Sequence, residues 1–127
     1  MPKKVLIVDD EPNIVLSVEF LMQRDGLDVV TASDGQEAVD LLACTAPDLM
    51  ILDVMMPRKN GFEVCAEVRA DPKFSGMPIL MLTAKGREAE MKKGLSLGAD
   101  AYITKPFSTH ELVAKVHELL NRNRAED

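Results

Sequence analysis

The sequence predicts an α/β fold in which five helices cover both faces of a five-stranded parallel sheet. Short apolar runs alternate along the chain with longer segments whose apolar residues recur at helical spacing. The runs lack the alternating polar residues of a half-exposed strand, which indicates strands that are buried on both faces. Because parallel strands need crossover connections of one hand, this alternation leaves few topologies.

Five apolar runs are the predicted strands. The first run, VLIV, is rich in β-branched residues, and the third run, DLMILD, begins just after the chain-breaking Pro47. A linker that contains Pro72 and Pro78 separates the third helix from the fourth run. In chain order the runs are residues 5–8, 28–32, 48–53, 79–83 and 101–104.

The first and second helices carry start and stop signals. The first helix begins near Pro12, whose missing N–H costs little at that position, and it ends at Gly26. Ser33 and Gln36 have the spacing of a capping box, which predicts the start of the second helix directly after the second strand.

The third and fourth helices differ in the strength of their patterns. After a loop at residues 55–61, the third helix turns Phe62, Cys65 and Val68 inward. The fourth helix, near residues 86–97, has few apolar anchors and contains a glycine, which costs about 1 kcal/mol relative to alanine. The fourth helix is therefore either a soft element of the fold or a marginal surface helix.

The fifth helix and the chain length complete the predicted domain. Ser108 and Glu111 repeat the capping-box spacing at the start of the fifth helix. A length of 127 residues suits one domain, so we expect a single domain over 1–127 with its core at about 3–121. Residues 122–127 are expected to form a polar tail or the start of a linker.

Composition argues against several kinds of partner. The net charge of −6, from 15 basic and 21 acidic residues, disfavours direct binding of nucleic acid or of an anionic membrane surface. No run approaches the roughly 20 apolar residues of a membrane span. Cys44 and Cys65 lie in apolar helical contexts without a CxxC pattern, so we expect both to be buried and reduced, as in the cytoplasm.

Five polar residues lie where the predicted strands end. They are Asp9 and Asp10 directly after the first strand, Asp53 at the end of the third, Thr83 at the end of the fourth and Lys105 directly after the fifth. Each alone has an ordinary explanation as a helix cap, a turn residue or a surface lysine. Together they lie at the carboxyl edge of a parallel sheet, where ligands bind at the reversal of strand order. Their joint placement favours a binding site.

The chemistry of this set points to a phosphoryl group. Three carboxylates in one crevice repel one another, and a divalent cation relieves that repulsion. Oxygen ligands without thiolate or imidazole favour Mg²⁺, which completes its shell with water and phosphate oxygens. Lys105 adds a positive charge, and Thr83 adds a hydroxyl donor. Asp53 is the candidate nucleophile, because carboxylates can form aspartyl phosphates.

At these residues the sequence resembles the receiver domains of two-component response regulators, over nearly the whole chain. The motifs that carry the resemblance are VDDE with Asp9 and Asp10, LDVMMP with Asp53, LTA with Thr83 and ITKPF with Lys105. Each motif alone is weak, but their order and spacing together are specific. The resemblance implies a flavodoxin-like sheet with the strand order 2-1-3-4-5.

The resemblance also implies a phosphorylation site and a metal site. Asp53 would accept a phosphoryl group from the phosphohistidine of a sensor histidine kinase or of a histidine phosphotransfer protein, with Mg²⁺ bound. Asp10, Asp53 and the backbone carbonyl of Met55 are implied as metal ligands, and Asp9 is implied to act through water. We therefore expect a phosphoacceptor with self-catalysed transfer and autodephosphorylation, not an enzyme.

A conformational switch is the third implication of the resemblance. Thr83 and Lys105 would be drawn to a phosphorylated Asp53, and Tyr102 would turn inward as the switch aromatic. The face made by the fourth helix, the fifth strand and the fifth helix would then change and control a downstream protein target. The Lys105–Pro106 peptide bond is expected to be cis.

Two arrangements of the whole protein remain open: a stand-alone receiver, or the N-terminal receiver of a longer regulator with a DNA-binding or enzymatic output domain. The winged-helix class of regulators dimerises by charge pairs across the face just described. Here Met91 and Leu97 replace a lysine and an aspartate, Ala101 replaces a second aspartate, and Lys115 replaces an arginine. We therefore expect a stand-alone monomer, with a phosphorylation-dependent dimer as the alternative.

Three other functions fit the sequence less well. A degenerate receiver that never takes a phosphoryl group would not need the complete set of site residues. An aspartyl-phosphate phosphatase usually has an acid two residues after its nucleophile, where this chain has Met55. A flavin-binding protein would need a phosphate-cradling Ser/Thr/Gly loop after the first strand, and acidic residues follow that strand here.

Overall fold

Strands and helices alternate along the computed structural model, which describes residues 2–56, 58–84 and 88–125, with side chains up to residue 121. The strands are β1 (Lys4–Val8), β2 (Asp28–Ala32), β3 (Leu49–Asp53), β4 (Ile79–Ala84) and β5 (Ala101–Lys105). The helices are α1 (Pro12–Arg24), α2 (Gly35–Thr45), α3 (Gly61–Ala70), α4 (Glu88–Ser96) and α5 (Thr109–Ala125). The predicted start of the fourth helix at residue 86 and the last two residues of the predicted tail lie outside the described ranges.

The five strands form one parallel sheet in the order β2-β1-β3-β4-β5, which confirms the predicted fold class. β1 lies between β2 and β3, so the strand order reverses at the β1–β3 pair. In this pair Val8 lies level with Leu52, and in the next pair Asp53 lies level with Leu82. Asp9, directly after β1, and Asp53, the last residue of β3, therefore lie at the ends of adjacent strands at the reversal.

β3 is the centre of the core, and all five of its residues are buried. Alternate residues of a strand point to opposite faces of the sheet. Met50 and Leu52 pack with residues of α2 and α3 on one face, and Leu49 and Ile51 pack with residues of α1 and α5 on the other. Because both faces are covered, the strand carries no alternating polar residues.

The start of α2 differs from the prediction by one residue. Asp34, not Ser33, is the N-cap, and its carboxylate accepts a hydrogen bond from the Glu37 amide at 2.8 Å. The Glu37 carboxylate in turn accepts a hydrogen bond from the Ser33 amide at 2.7 Å. Aspartate caps helices as well as serine does, so spacing alone could not choose between the two registers. At α5 the predicted cap is present, because the Glu111 amide donates to Ser108 Oγ at 3.0 Å.

The two cysteines differ in burial. Cys65 is buried, as predicted, whereas Cys44 is exposed, so the prediction for Cys44 is wrong. The buried residues of α2 include Ala38 and Leu42, and Cys44 lies two positions beyond Leu42, off the buried stripe. An apolar context in the sequence did not specify which side of the helix faces the sheet.

α5 continues to Ala125, past residue 121, where the sequence analysis places the end of the core. Arginine and alanine in this last part of the helix have high helix propensity, which favours the extension. Within the described part of the chain, no helix is both long and apolar enough to cross a membrane.

Candidate functional site

The carboxyl ends of β1 and β3 bring three acidic side chains together. One carboxylate oxygen from each of Asp9, Asp10 and Asp53 lies within 4.8 Å of the other two. Asp9 and Asp53 are buried, whereas Asp10 is exposed. The structure thus brings together the three acids that the sequence analysis places at this edge of the sheet.

Local hydrogen bonds hold Asp9 in place. Its amide donates to the Ala32 carbonyl at 3.2 Å, which extends the pairing of β1 with β2 by one residue. Its Oδ1 accepts a hydrogen bond from the Glu11 amide at 2.9 Å, at the turn that leads into α1. Asp9 therefore has a structural role in this turn in addition to its place in the acidic cluster.

Lys105, at the end of β5, joins the acidic side chains. Its ammonium donates to Asp9 Oδ2 at 2.9 Å, to Asp53 Oδ1 at 3.2 Å and to Glu11 Oε1 at 3.3 Å. Burial alone would lower the pKa of Lys105, but the hydrogen bond to Asp9 and the charges of Asp53 and Asp9 outweigh burial and raise the pKa. Lys105 is therefore charged at neutral pH. The Lys105–Pro106 bond is cis, the geometry that the resemblance implies.

The neighbouring protein groups compensate the negative charge of an ionised Asp53 only in part. Burial, followed by the charge of Asp9, raises the pKa of Asp53 from 3.8 to about 7, and Lys105 opposes this rise only in part. A divalent cation among the three acids would favour the ionised carboxylate. The cluster consists of carboxylates without cysteine or histidine, which is the kind of ligand that Mg²⁺ prefers. The residues present therefore fit a magnesium ion.

Thr83 lies near the end of β4, the strand that pairs with the strand of Asp53. The residue is 2% exposed, and its Oγ1 has no hydrogen-bond partner among the described residues. Thr83 lines a cavity of about 140 Å³ together with Asp53, Met55 and Lys105. Because a buried hydroxyl without a partner is unfavourable, this cavity suits a polar group that can bond to it.

Met55 and Tyr102 lie at the margins of the site. Met55 is 61% exposed and borders the cavity, two residues after Asp53. Tyr102 lies on β5 level with Met81 of β4 and is 41% exposed. Tyr102 is therefore partly turned towards solvent in this structure.

Glu11 is the site residue that the sequence analysis missed. It follows Asp10 directly, it lines the same cavity as Asp53, and it forms an ion pair with Lys105. A third consecutive acid in VDDE was a signal. Contact with Lys105 could not be read from the sequence, because the two residues are 94 positions apart.

Comparison with known proteins agrees with this arrangement. A family model described as the response regulator receiver domain matches residues 5–117. A protein from Chloroflexus aurantiacus that is described as a response regulator is 36% identical, with a TM-score of 0.92 over 95% of this chain and 99% of that chain. A CheY-like response regulator receiver domain protein from Methanospirillum hungatei is 28% identical, with a TM-score of 0.93 and both chains covered to 100%. The chain belongs to the response regulator receiver domain family of two-component signalling.

Another structural relative is a much longer protein. NtrX from Brucella abortus is 25% identical, with a TM-score of 0.92, and the match covers 99% of this chain but 28% of that chain. Receivers with this fold therefore occur both in chains of similar length and within longer proteins.

Proposed function

We propose that this receiver accepts a phosphoryl group on Asp53 from the phosphohistidine of a sensor histidine kinase or of a histidine phosphotransfer protein. The proposal rests on the groups that surround the Asp53 carboxylate. The Lys105 ammonium lies 3.2 Å from this carboxylate, and Thr83, which lines the same cavity, has a buried hydroxyl without a partner among the described residues. A fixed cation and a hydroxyl donor at one carboxylate are suited to binding a transferred anion.

A magnesium ion belongs to the proposal. By resemblance to the family, Asp10, Asp53 and the backbone carbonyl of Met55 would hold the ion, and Asp9 would act through water. When bound, the ion supplies positive charge that neutralises the carboxylates and the phosphoryl oxygens. Asp53, whose pKa is about 7 without the ion, would then be ionised at neutral pH and able to act as a nucleophile.

The transfer itself requires little beyond positioning and charge. A carboxylate oxygen of Asp53 would attack phosphorus, so that a P–O bond forms while the P–N bond to the donor histidine breaks and its electron pair stays on nitrogen. Lys105 would stabilise the phosphoryl charge, and Thr83 would donate a hydrogen bond. Water would later attack phosphorus, break the bond to Asp53 and release inorganic phosphate. The protein is on this account a phosphoacceptor, not an enzyme with a separate substrate.

The output would follow from the movement of Thr83. If Thr83 bonds to the phosphoryl group on Asp53, it leaves space beside β5, and the partly exposed Tyr102 can turn into it. The face of α4, β5 and α5 would change shape and alter binding of a downstream protein target.

Mass spectrometry of the intact protein tests the proposal. After incubation with Mg²⁺ and acetyl phosphate, we expect the wild type to gain the mass of one phosphoryl group and Asp53→Asn to gain none. Asp28→Asn, which removes an exposed carboxylate at the start of β2, is the matched control and should still be phosphorylated. No gain by the wild type, or an equal gain by Asp53→Asn, would overturn the proposal.

The domain organisation, oligomeric state and location of the protein form a second part of the proposal. We propose a stand-alone monomeric receiver in the cytoplasm, supported by the replaced charge-pair positions Met91, Leu97, Ala101 and Lys115 and by the free cysteines Cys44 and Cys65. The alternative is the receiver of a longer regulator, as the partial match to NtrX suggests. Purification of the native protein from its source and measurement of its mass would distinguish the two.

A further inference from the structure

Lys105 shares its ammonium among three carboxylates that differ greatly in exposure. An ammonium has three N–H donors, and Asp9, Asp53 and Glu11 are its three acceptors here. The side chain of Asp9 is 0% exposed, that of Asp53 is 7% exposed, and that of Glu11 is 60% exposed. An anion bound at Asp53 can therefore accept a hydrogen bond from Lys105 only if one of these three carboxylates loses its own hydrogen bond to the ammonium.

Glu11 is the acceptor that can be released most easily. Asp9 has no exposed side-chain surface, so losing the lysine would leave a buried charge without its partner, which is strongly unfavourable. Asp53 is the group that carries the anion and stays beside it. Glu11 is exposed, so water can replace the lysine around its carboxylate at small cost.

The position of Glu11 in the fold leaves its side chain available for this contact. Glu11 is the N-cap residue of α1, but its side chain makes no capping hydrogen bond. Glutamate is not among the residues that cap helices well, so capping does not account for it at this position. Its amide is engaged with Asp9 Oδ1 at 2.9 Å, which holds the residue beside the acidic cluster.

We propose that Glu11 is a positioning residue that occupies one donor of Lys105 in the resting protein and exchanges it for an oxygen of the anion bound at Asp53. Glu11 therefore competes with phosphoryl-like anions and lowers the affinity of the site for them. This inference rests on the proposed function, because it assumes that Asp53 carries the anion.

Calorimetric titration with beryllofluoride in the presence of Mg²⁺ tests the exchange, since this anion coordinates a carboxylate oxygen as a phosphoryl mimic. Glu11→Gln should bind beryllofluoride about two- to fivefold more tightly than the wild type, the range expected for loss of one exposed ion pair. Glu11→Asp keeps the charge but is one methylene shorter, and it favours capping α1. It should therefore resemble Glu11→Gln, and this result would separate direct contact from the general field of a negative charge.

Two control variants make the outcomes distinct. Glu19→Gln removes a negative charge from α1, the helix that Glu11 precedes, and it should change the affinity for beryllofluoride less than Glu11→Gln does. Equal effects of Glu11→Gln and Glu19→Gln, or no effect of either, would overturn the exchange while leaving the phosphoacceptor role intact. Equal binding by the wild type and Asp53→Asn would overturn the proposed function and the exchange together.

Discussion

Burial of Asp53 has two consequences, one for its position and one for its pKa. As the last residue of a fully buried strand, Asp53 is held rigidly, which suits the role of phosphoacceptor that we propose for it. Burial and the charge of Asp9 also raise the pKa of Asp53 to about 7. Without a cation, the folded protein therefore binds this proton more tightly than the unfolded chain does. The resulting stabilisation is complete below pH 3.8 and is lost as the pH rises through about 7.

The first prediction concerns Asp53→Asn in the metal-free protein. Its free energy of unfolding relative to the wild type should increase by about 2–3 kcal/mol between pH 5 and pH 8, because only the wild type loses a bound proton there. Urea denaturation with a chelator present at both pH values measures the difference. Asp28→Asn retains Asp53 and is the control, so its stability should follow that of the wild type over this range. A constant difference between Asp53→Asn and the wild type would contradict the raised pKa.

Among the secondary-structure elements, α2 and the loop that leaves β3 meet at a glycine. A Cβ atom on Gly35, the first residue of α2, would lie 2.1 Å from the Lys59 carbonyl oxygen and 2.8 Å from its carbonyl carbon. Asp34, which caps α2, forms an ion pair with Arg58 of the same loop at 3.3 Å. The loop that follows Asp53 therefore packs against the N-terminus of α2.

We predict that Gly35→Ala lowers the free energy of unfolding by about 1–3 kcal/mol, because the backbone of Lys59 must move to make room. This loss should occur even though alanine favours helices by about 1 kcal/mol over glycine. Gly76→Ala is the matched control, since a Cβ there would have no neighbour within 4 Å, and it should be neutral or slightly stabilising. Urea denaturation of the two variants provides the comparison. Similar stability of both variants would show that the loop adapts without cost.

Arg69 connects α3 to the segments that precede β4 and β5. Its guanidinium donates to the Met77 carbonyl at 2.8 Å, to the Gly98 carbonyl at 2.7 Å and to Asp100 Oδ2 at 2.7 Å. A planar group with several donors in fixed directions can satisfy these acceptors at once. α3 and the two loops are therefore held together by one side chain.

A lysine at position 69 cannot reproduce this pattern. We predict that Arg69→Lys lowers the free energy of unfolding by about 1–3 kcal/mol, because carbonyl groups around it lose their donors. Arg24→Lys, at the exposed end of α1, should change stability by less than about 0.5 kcal/mol. Thermal denaturation of the wild type and both variants at one pH measures these differences in stability. Equal melting temperatures would mean that a single ammonium can replace the guanidinium.

For the whole molecule, charge and exposed apolar side chains bear on association. A net charge of −6 disfavours self-association at low ionic strength. Leu95 on α4 is 44% exposed and Tyr102 on β5 is 41% exposed, which leaves apolar surface on the face that we propose to change on phosphorylation. Met91, Leu97, Ala101 and Lys115 replace four of the charged residues that pair across this face in the winged-helix class. A different protein is therefore the expected occupant of this face.

We predict that the protein remains monomeric when beryllofluoride and Mg²⁺ bind. Light scattering measures the mass in solution before and after addition, with calorimetry on the same sample to verify that the anion has bound. Asp53→Asn should remain monomeric without binding the anion. A dimer that forms only with the wild type and the anion would contradict the expectation drawn from Met91, Leu97, Ala101 and Lys115. The search for an output domain would then come first.

Sequence alone determined the order of the strands and helices, the parallel sheet and the edge that carries the site. These features depend on local properties: which runs are apolar, where proline and glycine interrupt them, and which polar residues follow each strand. The fold class was confirmed by the sheet order, and the predicted convergence of Asp9, Asp10 and Asp53 is present in the structure.

Only the tertiary structure decided how distant segments meet. Three features depend on how helices and loops pack on the sheet. They are the contact of Lys105 with Glu11, the close approach of Lys59 to Gly35 and the exposure of Cys44. Packing sets distances between residues that are far apart in the chain, and a local pattern such as VDDE carries no information about them. The raised pKa of Asp53 has the same origin, because burial and neighbouring charges exist only once the strands are assembled.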